Sequence, residues 1–247
     1  MTAATSSSPP ARRLRPLEAF RAMGRLLRDP DDTAEVFRVI DALSGNSGER
    51  VFQRFRRTEA GARILAERRD LLTRLQDRAW LEAQPEGSLA RHYADFMRRG
   101  AITPDGLVEA SEARPSATDD PDRLRVGARL RDMHDLWHVA TGYDRDLLGE
   151  AALLAFTYAQ TRKRGIGFIV AMAYWKSLRA GGPFRAARRL IRQGYRRGRR
   201  AVWLPAEDWE ALLPLPLTEV RARLQLDTPP QYEPIPSPQT ANAAAAP

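Results

Sequence analysis

An all-α fold, one multi-helix globular domain with disordered ends, is what this sequence predicts, and three observations predict it. Apolar residues recur at intervals of three and four through most of the chain. Capping and stop residues punctuate those runs. No stretch alternates apolar and polar residues between hairpin turns, as strands would. The domain is expected over residues 17–226, between a disordered tail at 1–16 and a disordered Pro/Ala-rich tail at 227–247.

Taken in order, Leu17, Phe20, Met23, Leu26 and Leu27 fall at helical spacing and predict a first helix. The run Asp29 to Thr33 stops it and supplies acidic first-turn residues for a second, carried by Val36, Phe37, Val39 and Ile40. Thr58 precedes a helix bearing Ile64 and Leu65. Ser88 caps another with Leu89, Tyr93, Phe96 and Met97, which Gly100 ends. Pro104 to Pro121 reads as a loop. Asp122 to Thr141 reads as one helix whose apolar stripe is Val126, Leu130, Met133, Trp137 and Ala140. Gly165 to Trp175 is apolar almost all round a helix, and beyond Asp227 the chain lacks the apolar content to fold.

A chain of 247 residues, 43% of them hydrophobic, can bury one sizeable core without staples. It contains no cysteine, which excludes disulfides, thiolate catalysis and metal–sulfur sites, so any metal must sit on nitrogen and oxygen. No apolar run approaches the roughly 20 residues that cross a bilayer, and the amino terminus lacks the apolar stretch of a secretory signal. The net charge of +9 suits an anionic partner, but nearly all of it is arginine, with Lys163 and Lys176 the only lysines. No nucleic acid is expected, because interleaved stacking aromatics and a recognisable reader fold are absent.

The chemistry concentrates in one segment. His134 and His138 lie four residues apart, which on a helix leaves their rings about 40° apart and one turn along, able to converge on one ion. Asp135 is on the same side, as a third ligand or as the acceptor that fixes an imidazole tautomer. Glu150 is twelve residues past His138, roughly 18 Å along an unbroken helix, so a reversal is required. Thr141-Gly142-Tyr143-Asp144 supplies it, with Gly142 left-handed and Asp144 capping the returning helix. His134, Asp135, His138 and Glu150 are therefore the expected divalent-metal site. The third histidine, His92, has no such company. The spacing is not that of a zincin protease, where glutamate follows the first histidine, and it lacks the further ligands of a histidine–aspartate phosphohydrolase.

The sequence His134-Asp135-Leu136-Trp137-His138, eleven residues, then Glu150 after Gly149 resembles the zinc-motif signature of the fourth Coq protein of ubiquinone (coenzyme Q) biosynthesis. The likeness extends to Gly87-Ser88-Leu89, to Tyr93-Ala94-Asp95-Phe96 and to Trp209 through Leu224. The resemblance implies an all-helical protein peripheral to a membrane, placed on the inner face from the cytoplasm, that works with other quinone-biosynthesis enzymes on a polyprenylated quinone precursor. It implies a divalent metal, zinc in the family's signature, on His134, Asp135, His138 and Glu150, and oxidative decarboxylation at the ring carbon that bears the carboxylate. The ligand types alone suit iron, manganese or cobalt equally. A non-catalytic organiser that presents the lipid intermediate is the alternative the family also carries, and a homodimer is compatible with either.

Two further expectations follow. An isoprenoid tail needs an apolar channel, for which Ile166, Phe168, Ile169, Met172, Ala173, Tyr174 and Trp175 are candidates, plain core being the competing reading. Eight arginines lie between Arg185 and Arg200, and a helix with Arg188, Arg192, Arg196 and Arg199 on one side is suited to an anionic membrane surface.

Overall fold

The computed structural model describes residues 14–28, 32–100, 119–179, 184–226 and 229–235. Among these the chain is all-α, with a single isolated bridge between Ser88 and Pro216 and no strand. The helices are α1 (Pro16–Leu26), α2 (Thr33–Leu43), α3 (Ser47–Phe55), α4 (Glu59–Ala66), α5 (Leu71–Gln76), α6 (Arg78–Ala83), α7 (Leu89–Arg99), α8 (Pro121–Asp132), α9 (His134–Thr141), α10 (Leu147–Thr161), α11 (Arg164–Arg179) and α12 (Phe184–Arg200). A 3-10 turn (Leu204–Ala206), α13 (Trp209–Leu212) and α14 (Leu217–Arg223) complete them.

Local chemistry sets the helix starts. Asp32 accepts from the Glu35 amide, Thr58 from Gly61, Ser88 from Arg91 and Asp120 from Arg123. Each such cap satisfies an amide that has no partner within the helix and contributes about 1 kcal/mol.

The main core gathers α7, α9, α10, α12 and the carboxy-terminal helices around Tyr93, Leu136, Leu153, Phe156 and Trp209, all essentially inaccessible. Here α12 lies directly on α10. A Cβ at Gly194 would stand 2.2 Å from the Ala152 carbonyl oxygen, and one at Gly198 2.6 Å from that of Phe156, so only glycine allows the two backbones to touch. A second, smaller cluster joins α1, α2 and α11 through Ala22, Met23, Leu26, Val39 and Ile169.

The structure corrects several expectations. Asp122 to Thr141 is two helices, broken at Met133, where ψ is −3°. The two halves answer to different partners. Buried Arg129 ties α8 to Glu210, at 2.7 and 2.6 Å, whereas Arg221 ties the end of α9 to α14 through the carbonyls of Ala140 and Val139. On α1, Met23 and Leu26 are buried, but Leu17 and Phe20 face outward. The apolar helix α11 is not enclosed: Ile166 and Ile169 are buried, while Trp175 and Leu178 are exposed. Of the channel candidates, Phe168, Ile169 and Met172 pack against the α1–α2 cluster, as plain core would.

Residues 229–235 lie against the main core instead of standing away as a tail, because Tyr232 and Ile235 pack on it and hydrogen-bond to the start of α10. The expected loop from Pro104 lies outside the described residues as far as 118, as do residues 1–13 of the amino-terminal tail and 227, 228 and 236–247 of the carboxy-terminal one.

Candidate metal centre

The ligand hairpin is built by a glycine and an aspartate. Gly142 ends α9 at φ +76°, and its amide donates to the His138 carbonyl at 2.8 Å, the left-handed stop that a β-carbon would oppose. The residue capping α10 is Asp146, not the expected Asp144: its Oδ1 accepts from the amides of Leu148 and Gly149 at 2.9 and 3.3 Å. Asp144 instead accepts from the next amide, that of Arg145. The two-residue difference places Glu150 in the first turn of α10 and swings it back over α9.

Three side chains meet there. One donor atom each from His134, His138 and Glu150 lies within 4.8 Å of the others. Donors sharing one ion at about 2.0–2.2 Å stand roughly 3–4 Å apart, so a modest side-chain rotation closes the set. The imidazoles of His134 and His138 are 4.8 Å apart between centroids and nearly perpendicular. Asp135, expected among the ligands, is not in this group. It is buried and its Oδ1 lies 3.3 Å from His134 Nδ1, where it orients that ring and leaves Nε2 to the site.

His138 is oriented in the same manner. Its Nδ1 donates to the Tyr143 carbonyl at 2.9 Å, its ring stacks on Phe96 at 5.5 Å, and its Nε2 points into the site. That Nε2 is buried and lies 3.2 Å from Glu150 Oε1, yet without the geometry of a hydrogen bond, so it remains an unsatisfied buried nitrogen. Such a nitrogen is costly unless something else engages it, and a cation between the imidazole and the carboxylate would. The donor set of two imidazoles and one carboxylate therefore fits a divalent metal, with coordination positions left for other groups.

The charges of the site are strongly coupled to one another. Burial pushes the Glu150 carboxyl up, but His138, and behind it His134 and Arg145, outweigh burial and hold it at about 2. Burial lowers His138, and Glu150 followed by Asp135 more than restores it, leaving it raised. Asp135 is likewise held below the usual carboxylate range: the His134 ring outweighs the opposing effect of burial. The Glu150 side chain is 35% exposed, so the site lies nearest the outside on the Glu150 side. His92 is exposed and apart from the site, as expected.

Four contributors were not legible beforehand. Tyr143 acts through its carbonyl, which any residue would supply. Tyr232 donates to Asp146 Oδ2 at 2.6 Å and accepts from the Asp144 amide at 2.9 Å, while the Ile235 amide donates to Asp146 Oδ1 at 3.1 Å and its carbonyl accepts from the Leu147 amide at 2.9 Å. Arg197 is buried and donates to the Thr141 carbonyl at 2.9 Å. Only Asp146 carried a signal, an aspartate just before an apolar helix, and Asp144 competed for the same reading.

Fold and site together define a class: all-helical proteins in which a helix hairpin brings together two imidazoles and a carboxylate that could hold one divalent cation. Within that class, residues 16–230 match the family of the coenzyme Q (ubiquinone) biosynthesis protein Coq4. The chain belongs to that family. It is 28% identical over 200 residues to the human protein named ubiquinone biosynthesis protein COQ4 homolog, mitochondrial, covering 78% of this chain and 72% of that one. The Rattus norvegicus homologue is 30% identical over 174 residues, covering 70% and 63%. A crystal structure of a protein from Nostoc punctiforme PCC 73102 shares the fold, with a TM-score of 0.62 at 24% identity over 86% of this chain and 98% of that one.

Proposed function

We propose that the protein carries out a metal-dependent step of ubiquinone biosynthesis, the oxidative decarboxylation of a polyprenylated hydroxybenzoate. In that reaction the bond from the ring to the carboxylate breaks with loss of carbon dioxide, a C–O bond to an oxygen from water forms at the same carbon, and the two electrons and two protons given up reduce dioxygen to hydrogen peroxide. The observation that carries the reading is the unsatisfied His138 Nε2, facing His134 and Glu150 in a site that lies nearest the outside on the Glu150 side. A bound divalent ion would supply a Lewis acid for the substrate's carboxylate or phenolate oxygen.

The chain's own residues prepare for it. Tyr143 and Asp135 hold the outer nitrogens of the two imidazoles, so both rings present a lone pair. Phe96 covers one face of His138 and keeps water from it. Other enzymes of the pathway are the expected partners. An isoprenoid-tailed substrate partitions into lipid, which favours a protein working at the cytoplasmic side of the membrane, and no helix among the described residues is long and apolar enough to cross one.

Elemental analysis of the purified protein and of His138→Ala, with a reconstituted decarboxylation assay of both, tests this. About one metal ion per chain in the parent, lost together with activity in the variant, is the expected outcome. Turnover that survives loss of the ion would leave the organiser reading, in which the ion only braces the hairpin.

A further inference from the structure

Among the described residues six large apolar side chains stand well out of the protein, and five of them belong to one place: Leu14 (45% exposed), Leu17 (63%), Phe20 (60%), Trp175 (43%) and Leu178 (52%). Leu14 leads into α1, Leu17 and Phe20 lie on α1, and Trp175 and Leu178 lie on α11. The spacing is helical on both. Leu14, Leu17, Phe20 and exposed Gly24 follow one side of α1, and half-buried Phe168, exposed Ala171, Trp175 and Leu178 follow one side of α11.

The two helices both pack on α2, run in the same direction and touch at two points. Phe20 meets Phe168 edge-on at 5.2 Å between centroids, and just past the end of α1 the Leu27 carbonyl accepts from Lys176 Nζ at 3.3 Å. The stripes therefore form one apolar face, which monomeric proteins rarely leave open.

The charge on these two helices is mainly basic. Helix α11 contains no acidic residue, and the single one on α1, Glu18, is bonded by Arg15 at 2.7 Å. Arg21 on α1, Arg28 just past its end and Lys176 on α11 are exposed. An apolar stripe with leucine, phenylalanine and tryptophan, flanked on its own helices by basic residues, is the composition that lies in the plane of a lipid interface.

The arginine-rich helix α12, where the sequence suggested such a surface, lacks the apolar half. Its Ala187, Leu190 and Ile191 are buried and its glycines are pressed against α10, so its exposed positions are arginines with Ala186 and Gln193, and no large apolar side chain among them.

We propose that the outer face of α1 and α11 is the docking surface for an anionic lipid bilayer, with Leu17, Phe20, Trp175 and Leu178 entering the interface and Arg21, Arg28 and Lys176 meeting lipid phosphates. The assignment deepens the membrane part of the function proposed above and is independent of the metal chemistry.

Flotation of the full chain with vesicles of phosphatidylcholine alone or mixed with phosphatidylglycerol tests it. The parent should float with the mixed vesicles and lose binding as salt is raised. Leu17→Ser with Phe20→Ser should weaken binding on the order of tenfold or more, since two inserted side chains are removed. Arg192→Gln with Arg196→Gln on α12 should weaken it less. Brominated lipid should quench tryptophan emission in the parent and markedly less in Trp175→Phe. All these positions are exposed, so losing the Phe20–Phe168 contact and the Arg192–Tyr174 bond should lower the thermal midpoint only slightly, and the variants remain folded.

A serine variant that floats as well as the parent, or greater losses from the α12 pair, would overturn the assignment. So would a parent dimer that the serine variant converts to monomer with lipid binding intact, which would make the face a contact between two copies. A parent that fails to float at all removes both this assignment and the peripheral-membrane reading, while the metal analysis of His138→Ala still stands or falls by itself.

Discussion

The helices around the ligand hairpin and the helices of the α1–α2–α11 cluster pack in different ways. Around the hairpin, buried and half-buried side chains from distant parts of the chain grip backbone carbonyls: Arg197 that of Thr141, Arg221 those of Ala140 and Val139, and Gln160 that of Gly198. Backbones touch at Gly194 and Gly198. The other cluster is small, its interior is apolar apart from Glu35, and much of its apolar surface faces outward. The difference teaches what each region is suited to. Holding three ligand atoms near one point needs cross-links that resist small shifts, whereas a face that meets another surface needs exposed side chains on a firm backing.

The largest expected effect comes from breaking the backbone contact. Gly194→Val puts side-chain atoms where the Ala152 carbonyl stands, and such overpacking should cost about 3 kcal/mol, read as a lowered thermal midpoint. An unchanged midpoint would mean that α12 does not rest on α10. Next, Arg197→Met leaves the buried Thr141 carbonyl without its donor and should cost about 2 kcal/mol in denaturant unfolding, the same change at exposed Arg196 costing almost nothing.

A smaller loss, about 1 kcal/mol, is expected for Tyr232→Phe, with faster amide exchange at Leu147 and Leu148. If exchange there is unaltered, residues 229–235 do not brace the turn.

The smallest effect sharpens the contrast from the side of the outer cluster. Glu35 is buried, and its carboxyl is held below the ordinary glutamate value of 4.5, chiefly by its hydrogen bond from Arg25 and also by Arg38, against the opposing effect of burial. A depressed carboxylate contributes stability that is present above its unfolded value and lost as pH falls through the folded one. Acidification below about pH 5 should therefore narrow the stability gap between the parent and Glu35→Gln; a gap constant down to pH 3 would contradict this.

Much of this was legible in the chain itself. Caps at Thr58 and Ser88, the glycine stop at Gly142 and the pairing of His134 with His138 all arise from interactions within a few residues, which spacing reports directly. The break at Met133 was not, because a continuous apolar stripe does not reveal that Arg129 and Arg221 hold its two ends to different helices. The outward turn of Leu17 and Phe20 was equally hidden, since helical spacing tells which residues share a face but not what covers it.

By itself, then, the sequence determined the helical class, the reversal that brings Glu150 back over His138, and the nitrogen and oxygen chemistry of the site. These depend on backbone propensity, on caps and on the side chains available. Only the tertiary structure decided that Asp135 orients an imidazole instead of joining the ligand group, that Tyr232 and Ile235 brace the turn, and that the open apolar face lies on α1 and α11 instead of the arginine-rich helix. Each of those depends on which distant surfaces meet, and burial is a property of the assembled helices, not of any one of them.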